Sequence, residues 1–212
     1  MPTASTLGLF AVAALALLVI PGPSVLYVVT RSASQGRKAG LVSVLGLHTG
    51  SIVHIAAAAT GLSALLLASA TAFSAVKLAG AAYLIYLGVT RLLSRAPQEE
   101  QRVEPATLRR VYGEGVVVNV LNPKTALFFV AFVPQFIEPA RGPVALQVVV
   151  LGLLFILLGL MSDSTYAMVA GSIGSRLRAR ERRSGWQPRW SGLVLIGLGV
   201  VAATARRPVT TS

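Results

Sequence analysis

Long uninterrupted apolar runs constrain this chain more than any other feature. Of its 212 residues, 54% are hydrophobic and only 12% are charged, and most of the charges fall between the runs. Soluble globular domains carry about twice that share of charge. A run of about 18 or more apolar residues is long enough to cross the ~30 Å hydrocarbon layer of a bilayer. The chain is therefore predicted to be a polytopic α-helical protein embedded in a lipid bilayer.

Six apolar runs are predicted to span the bilayer. The first run is interpreted as a retained span rather than a cleaved signal peptide, because its start has no basic residue and the run continues past Pro21 and Pro23. The last run is short, and the C-terminus would be cytoplasmic if that run did not cross. The runs cover residues 7–30, 41–67, 72–93, 113–136, 144–170 and 191–205.

The 19 basic residues are distributed unevenly between the two sides of such a bundle. Positive charge in short loops marks the cytoplasmic side of a membrane protein. One side carries Arg31, Arg37, Lys38, Arg91, Arg95, Arg102, Arg109, Arg110, Arg176, Arg178, Arg180, Arg182, Arg183 and Arg189. The opposite side carries Lys77, Arg141, Arg206 and Arg207, and Lys124 falls within the fourth run. Both termini are therefore predicted to lie outside a plasma membrane, and the net charge of +12 does not predict nucleic-acid binding.

A polar linker at residues 94–112 divides the chain into two membrane units, residues 1–93 and 113–212. Each unit has three predicted spans, and an odd number of spans means that the second unit is inverted relative to the first. The sequence thus predicts an all-α transmembrane, six-helix polytopic bundle built as two inverted three-helix repeats.

Each predicted repeat opens with a span that proline interrupts, at Pro21-Gly22-Pro23 and at Asn122-Pro123-Lys124. Proline removes a helical N–H and leaves a carbonyl without a partner one turn earlier. In lipid that carbonyl needs a partner inside the protein or in a watery cavity. Paired interruptions at matching positions point to a transporter site made of broken helices. Two proline kinks that only shape packing are the alternative.

Ionisable and amide side chains within the runs are the candidate site residues. Asp163 lies well inside the fifth run, where an acid is costly unless it faces a partner or water. A protonated Asp163 that bonds a neighbouring helix is the structural alternative. Lys124 follows the second break and can reach a cavity, and Asn119 and Asn122 can bond the freed backbone groups.

The second run carries both histidines of the chain. Gly46, Gly50 and His54 recur at every fourth residue on one helical face, where small residues allow another helix to approach closely. A structural hydrogen bond and a proton relay both remain open for His54. His48 lies on a different face. Lys77, at the outer end of the third run, either reaches the interface or contacts substrate.

Several segments together resemble the LysE-type amino-acid exporters, and within them the homoserine/threonine exporter branch. They are Pro21-Gly22-Pro23, GLHTGSIVHI at 46–55, KLAGAAYLIYLG at 77–88 and VNVLNPKTALFFVAFVPQF at 118–136, with Asp163 as the lone acid of the fifth run. The resemblance implies a plasma-membrane efflux carrier of about six helices, with protons as the expected coupling ion. It does not fix the substrate. It carries over as motif positions Pro21, Gly22, Pro23, Lys77, Asn122, Pro123, Lys124 and Asp163.

An amino-acid substrate would bring a carboxylate and an ammonium. Helix N-termini at the breaks, with Lys124, suit the carboxylate, and Asp163 suits either the ammonium or a proton. A divalent-cation exporter is the alternative, although one intramembrane acid, two histidines and no cysteine are a poor ligand supply. An enzyme is not expected, since neither a nucleophile motif nor a second intramembrane carboxylate is present. No cofactor is expected, and a homo-oligomer is left open.

Overall fold

The computed structural model describes residues 1–68 and 105–173, with the isolated positions Thr71, Ala75 and Val89. Within these ranges the chain is all-α, with no strand, as the sequence predicts. The expected third and sixth spans, most of the linker and Lys77 lie outside the described residues. The inverted repeat therefore stays a prediction.

The first predicted span consists of two helices separated at the Pro-Gly-Pro motif. Helix α1 covers Ala4–Val19, and α2 covers Pro23–Gln35. The two helices are bent by 55° relative to each other. Proline suits the first turn of a helix because its fixed φ is helical and the N–H it lacks would be unpaired there. The motif thus ends one helix and starts the next.

The fourth predicted span is broken in the same way. Helix α4 covers Leu108–Val120, and α5 covers Pro123–Leu127, with a bend of 47° between the two parts of the span. Asn122 caps α5, since its Oδ1 accepts from the Lys124 backbone N–H at 3.0 Å. A π-helical turn and a 3₁₀ turn then complete the span at Phe128–Phe132 and Val133–Phe136. Helix α4 begins inside the predicted linker, so the fourth helical segment is longer than expected.

Two long unbroken helices complete the described part of the bundle. Helix α3 covers Arg37–Ala68, and α6 covers Val144–Ile173 after a short 3₁₀ turn at Pro139–Arg141. Each is long and apolar enough to cross a membrane, and the two bent pairs raise the number of candidate spans among the described residues to four. The second and fifth predicted spans are thus observed as helices that extend beyond their predicted ends.

Helix α3 packs against α2, α4 and α6, which brings the broken helices and the acid-bearing helix around it. Glycine allows a close approach of α3 to α4: a Cβ on Gly50 would lie 2.7 Å from the Val116 carbonyl oxygen of α4. Buried phenylalanine rings, among them Phe10, Phe128 and Phe155, form one end of the core.

Candidate functional site

The two helix breaks line one small cavity of about 30 Å³. The first break contributes Gly22 and Ser24 to its lining. The second break contributes Asn119, Asn122, Lys124 and Thr125, and α3 and α6 close the cavity with His48, Ser51 and Asp163. Polar side chains from both halves of the chain therefore converge in an otherwise apolar bundle.

Lys124 connects the second break to the first. Because Pro21 has no N–H, the Leu17 carbonyl loses its helical partner. The Lys124 ammonium donates to that oxygen at 2.6 Å and to the Ile20 carbonyl at 2.7 Å. Its stem passes Gly22, where a Cβ would lie 3.3 Å from Lys124 Cδ. One lysine thus satisfies the C-terminal end of α1 while its positive charge lies at the cavity wall.

The carbonyl that Pro23 leaves without a partner is satisfied by α6. Proline at position 23 cannot donate to the Val19 oxygen, and the Tyr166 hydroxyl donates to it at 2.7 Å instead. The first break is therefore supported by two different helices, through Lys124 and Tyr166.

The second break is supported from α3. Pro123 cannot donate to the Asn119 carbonyl, and His54 Nε2 lies 2.9 Å from that oxygen. A carbonyl only accepts, so His54 Nε2 carries the proton in this hydrogen bond. The His54 ring also stacks on Phe129, with centroids 6.2 Å apart. Each proline of the two breaks thus has a side-chain donor on the carbonyl four residues before it, and the Asn119 carbonyl also accepts from the Asn122 backbone N–H at 3.0 Å.

Amides and hydroxyls join the two breaks in a second layer of contacts. Asn119 Nδ2 donates to Ser51 Oγ at 2.9 Å, and Thr125 Oγ1 donates to Asn119 Oδ1 at 3.1 Å. Asn122 Nδ2 donates to Ser24 Oγ at 2.7 Å. These groups are uncharged and sit between the charged residues of the cavity.

Asp163 pairs with His48. Asp163 Oδ2 and His48 Nε2 are 3.1 Å apart, and the two residues are only 4% and 6% exposed. The imidazole fits because Gly159 lies one turn before Asp163: a Cβ there would overlap His48 Cε1 and lie 3.0 Å from its Nε2. The second atom of each group, Asp163 Oδ1 and His48 Nδ1, has no hydrogen-bond partner among the described residues.

The structure brings together five of the residues that the sequence predicts as site residues. Gly22, Asn119, Asn122, Lys124 and Asp163 all line the cavity. The prolines at positions 21, 23 and 123 shape it from the breaks. His54 does not line the cavity, but it bonds the backbone carbonyl of Asn119, which does. Lys77 lies outside the described residues.

Four further residues line the cavity, and the sequence alone predicts no role for them: His48, Ser24, Ser51 and Thr125. One signal was available, since His48 and Ser51 are two polar residues at helical spacing in an apolar run. Among the described residues, no three His, Cys, Asp or Glu side chains are placed to hold a metal ion.

Bent apolar helices around a buried acid and a partly buried lysine define a polytopic membrane protein. The model of the family described as LysE type translocator matches residues 15–206. The chain belongs to this family and is therefore a transporter and not an enzyme.

Relatives match over most of their length. A homoserine/homoserine lactone efflux protein of Salmonella typhimurium is 29% identical, over 88% of this chain and 90% of the relative. Membrane proteins of Pseudomonas aeruginosa and Vibrio cholerae are 28% and 30% identical, over 89% and 88% of this chain and 90% of each relative. No solved structure matches the chain.

Proposed function

We propose that this protein exports amino acids or closely related small metabolites across the plasma membrane, driven by the proton gradient. The observation that carries the proposal is the convergence of Asp163, Lys124 and both helix breaks on one cavity. The printed function of the Salmonella typhimurium relative, homoserine and homoserine lactone efflux, supports this substrate class.

The first break suits a substrate carboxylate. Gly22 precedes α2 without any side-chain cap, so amide groups of the first turn of α2 lie open beside the cavity. The N-terminus of a helix favours an anion through these amides and through the helix dipole. Lys124 adds a full positive charge at the same wall.

Asp163 suits the other end of an amino acid. Its carboxylate is the only acidic side chain that lines the cavity among the described residues, and it binds either a substrate ammonium or a proton. Occupation by one excludes the other. A proton that arrives from outside would therefore displace the substrate outward, and substrate from the cytoplasm would displace the proton inward.

The proposed orientation has both termini outside. Arg31, near the end of α2, pairs with Glu114 of α4, and Arg110 also contacts that carboxylate at 2.8 Å. This charged cluster lies at helix ends that the basic loops assign to the cytoplasm. Reporter fusions after Arg95 and after Arg183 should both report the cytoplasm, and a fusion within residues 68–71 should report the exterior. If the first two fall on opposite sides, the six-span orientation is wrong.

Divalent-cation export is the second candidate. Only His48 and Asp163 of the described cavity lining are metal-ligand side chains in contact, and hard cations need more oxygen ligands than one carboxylate supplies. Transport of metal ions compared with amino acids in the same vesicles distinguishes the two candidates.

The test is a two-stage transport assay. A screen first identifies amino acids and analogues that become less toxic when the protein is expressed. Efflux of a positive compound is then measured from loaded vesicles, with and without an imposed pH gradient, for wild type and for Asp163→Asn at matched expression. Loss of gradient-driven efflux in the variant, with normal insertion, supports the coupling role. Unchanged gradient-driven efflux would remove Asp163 from the mechanism.

A further inference from the structure

We infer that His48 is the second half of the coupling site and takes the proton from Asp163 when a substrate ammonium arrives there. This inference rests on the proposed function, and it assigns the imidazole a role in coupling rather than in packing. In this inference, His48 accepts a proton from Asp163 and does not bind the substrate carboxylate.

The geometry places one proton between two buried groups. Asp163 Oδ2 and His48 Nε2 are 3.1 Å apart, so the proton that joins them belongs either to the carboxyl or to the imidazole. Imidazole is the side chain that ordinarily gains and loses a proton near neutral pH. Gly159 leaves the space that the ring occupies. A side chain at position 159 would push the ring away from the acid, which makes this contact specific to the local sequence.

The unpaired atoms of the pair indicate that the contact is not merely structural. His48 Nδ1 and Asp163 Oδ1 are buried and lack hydrogen-bond partners among the described residues, although both residues line the cavity. A buried polar atom without a partner is costly, and it persists where function or a bound group requires it. His54, on the same helix, shows the contrast: its Nε2 bonds a backbone carbonyl and its ring stacks on Phe129.

The proton step balances within the pair. When Asp163 is protonated, its neutral carboxyl offers no charge to an arriving ammonium, so the acid first passes its proton from Oδ2 to His48 Nε2. The O–H bond breaks and the N–H bond forms, leaving a carboxylate and an imidazolium with the same total charge. Asp163 Oδ1 then accepts the ammonium, and the imidazolium releases a proton from Nδ1 into the cavity. The unpaired atoms are thus the ones that the cycle uses.

Other titratable groups near the pair have defined partners. Lys124 bonds carbonyls at the end of α1, and the Tyr166 hydroxyl bonds a carbonyl of the first break. Arg31 of α2 and Glu114 of α4 pair with each other outside the cavity lining. Helix α1 carries no titratable side chain. Within the described residues, the imidazole is therefore the only group in hydrogen-bond contact with the acid that can take its proton.

The test uses full-length purified protein in liposomes with homoserine as the probe. Two rates are compared for each variant: homoserine exchange without a gradient, and homoserine accumulation driven by an imposed pH gradient. His48→Gln keeps the size and hydrogen bonding but does not titrate. The ratio of driven accumulation to exchange should fall by on the order of tenfold or more. The dependence of that ratio on the size of the imposed pH difference should weaken.

Gly159→Ala is the second variant, and it leaves both titratable groups in the chain. It should lower the same ratio, because the added methyl group displaces the His48 ring. Gly61→Ala is its matched control, since a Cβ on Gly61 of α3 meets nothing within 4 Å. His54→Gln is the imidazole control: its ratio should stay at the wild-type value even if both rates fall.

The outcomes separate the two proposals. Wild-type protein that moves neither homoserine nor any other amino acid or analogue of the screen, or that moves them without response to the gradient, overturns the proposed function. Coupled wild-type transport with an unchanged ratio in His48→Gln overturns the role of His48 alone. If His48→Gln is not recovered as folded, monodisperse protein, Gly159→Ala decides: a wild-type ratio in that variant also overturns the role.

Discussion

The ammonium of Lys124 lies 2.6 Å from the carbonyl oxygen of Leu17, so the second broken span supplies the hydrogen bond that the first one lacks. This contact makes the two breaks interdependent. A movement that withdraws α5 from α1 must leave the Leu17 and Ile20 carbonyls without this donor or give them another. The side chain that supports the end of α1 is thus also one that lines the cavity.

Replacing Lys124 should lower both stability and transport. Lys124→Met preserves most of the side-chain length but removes the donor to two carbonyls, and a buried unsatisfied group costs about 1–3 kcal/mol. The melting temperature in detergent should fall, and efflux should be lost. Lys124→Arg retains the charge and donors, so it should recover part of the stability. Lys38→Met is the control, because Lys38 is exposed at the start of α3; an equal fall there would contradict the prediction.

The prolines of the breaks should matter for transport more than for insertion. Pro123→Ala restores an N–H that can bond the Asn119 carbonyl, which removes the local reason for the 47° bend. Pro21→Ala acts in the same way at Leu17. Efflux should fall in both variants while the amount of protein in the membrane changes little. Pro97→Ala and Pro188→Ala, in predicted loops, should be mild, and equal effects at all four positions would favour kinks that only shape packing.

Tyr166→Phe should destabilise the first break without altering the shape of the side chain. The substitution removes the hydroxyl that donates to the Val19 carbonyl at 2.7 Å. The expected loss is about 0.5–1.5 kcal/mol, the net contribution of a typical intramolecular hydrogen bond, and it should appear as a lower melting temperature. Tyr112→Phe is the matched control, because the Tyr112 hydroxyl bonds the Thr49 hydroxyl and not a backbone carbonyl of a helix break. Similar losses in both variants would contradict the assignment.

The positions of the breaks could be predicted from the sequence because proline acts locally. The missing N–H of Pro21 or Pro123 disrupts a helix wherever that helix packs, and Asn122 is recognisable as a cap for the same reason. Asp163 could be nominated because the cost of an acid in lipid depends little on its neighbours. These inferences need no knowledge of which helices touch.

The partners could not be predicted, because they depend on helix rotation and register. Nothing near Lys124 in the chain points to Leu17, and nothing near His48 points to Asp163. The role of His48 requires knowing that α6 presents Gly159 to that face of α3. The sequence left two roles open for His54, and its 2.9 Å contact with the Asn119 carbonyl supplies the structural one.

The ion pairs of Glu114 should differ in their importance. The Arg31 side chain is 7% exposed and that of Arg110 is 73% exposed. A buried charge without its partner is costly, whereas an exposed pair four residues apart on a helix contributes about 0.3–0.5 kcal/mol. Glu114→Gln should therefore lower the melting temperature clearly, and Arg110→Gln should change it little. Equal effects in thermal unfolding would show that the contact with Arg31 adds no stability.

The packing of α3 against α4 should depend on Gly46. A Cβ at this position would overlap the Tyr112 carbonyl oxygen and lie 3.1 Å from the carbonyl carbon of the same residue. Backbone atoms cannot rotate away as a side chain can, so Gly46→Ala must separate the two helices. Since α4 carries Asn119 and leads into the second break, the separation should also disturb the Asn119 contacts with Ser51 and His54.

We therefore expect Gly46→Ala to lower the melting temperature in detergent and to reduce efflux at matched expression. Ala has a higher helix propensity than Gly by about 1 kcal/mol, so the local effect of the substitution on α3 is favourable and opposes the packing effect. Gly61→Ala in the same helix isolates the local effect, because a Cβ there meets nothing within 4 Å. That control should be as stable as wild type or slightly more stable. If both variants behave alike, close approach of α3 and α4 at Gly46 does not hold the second break in place.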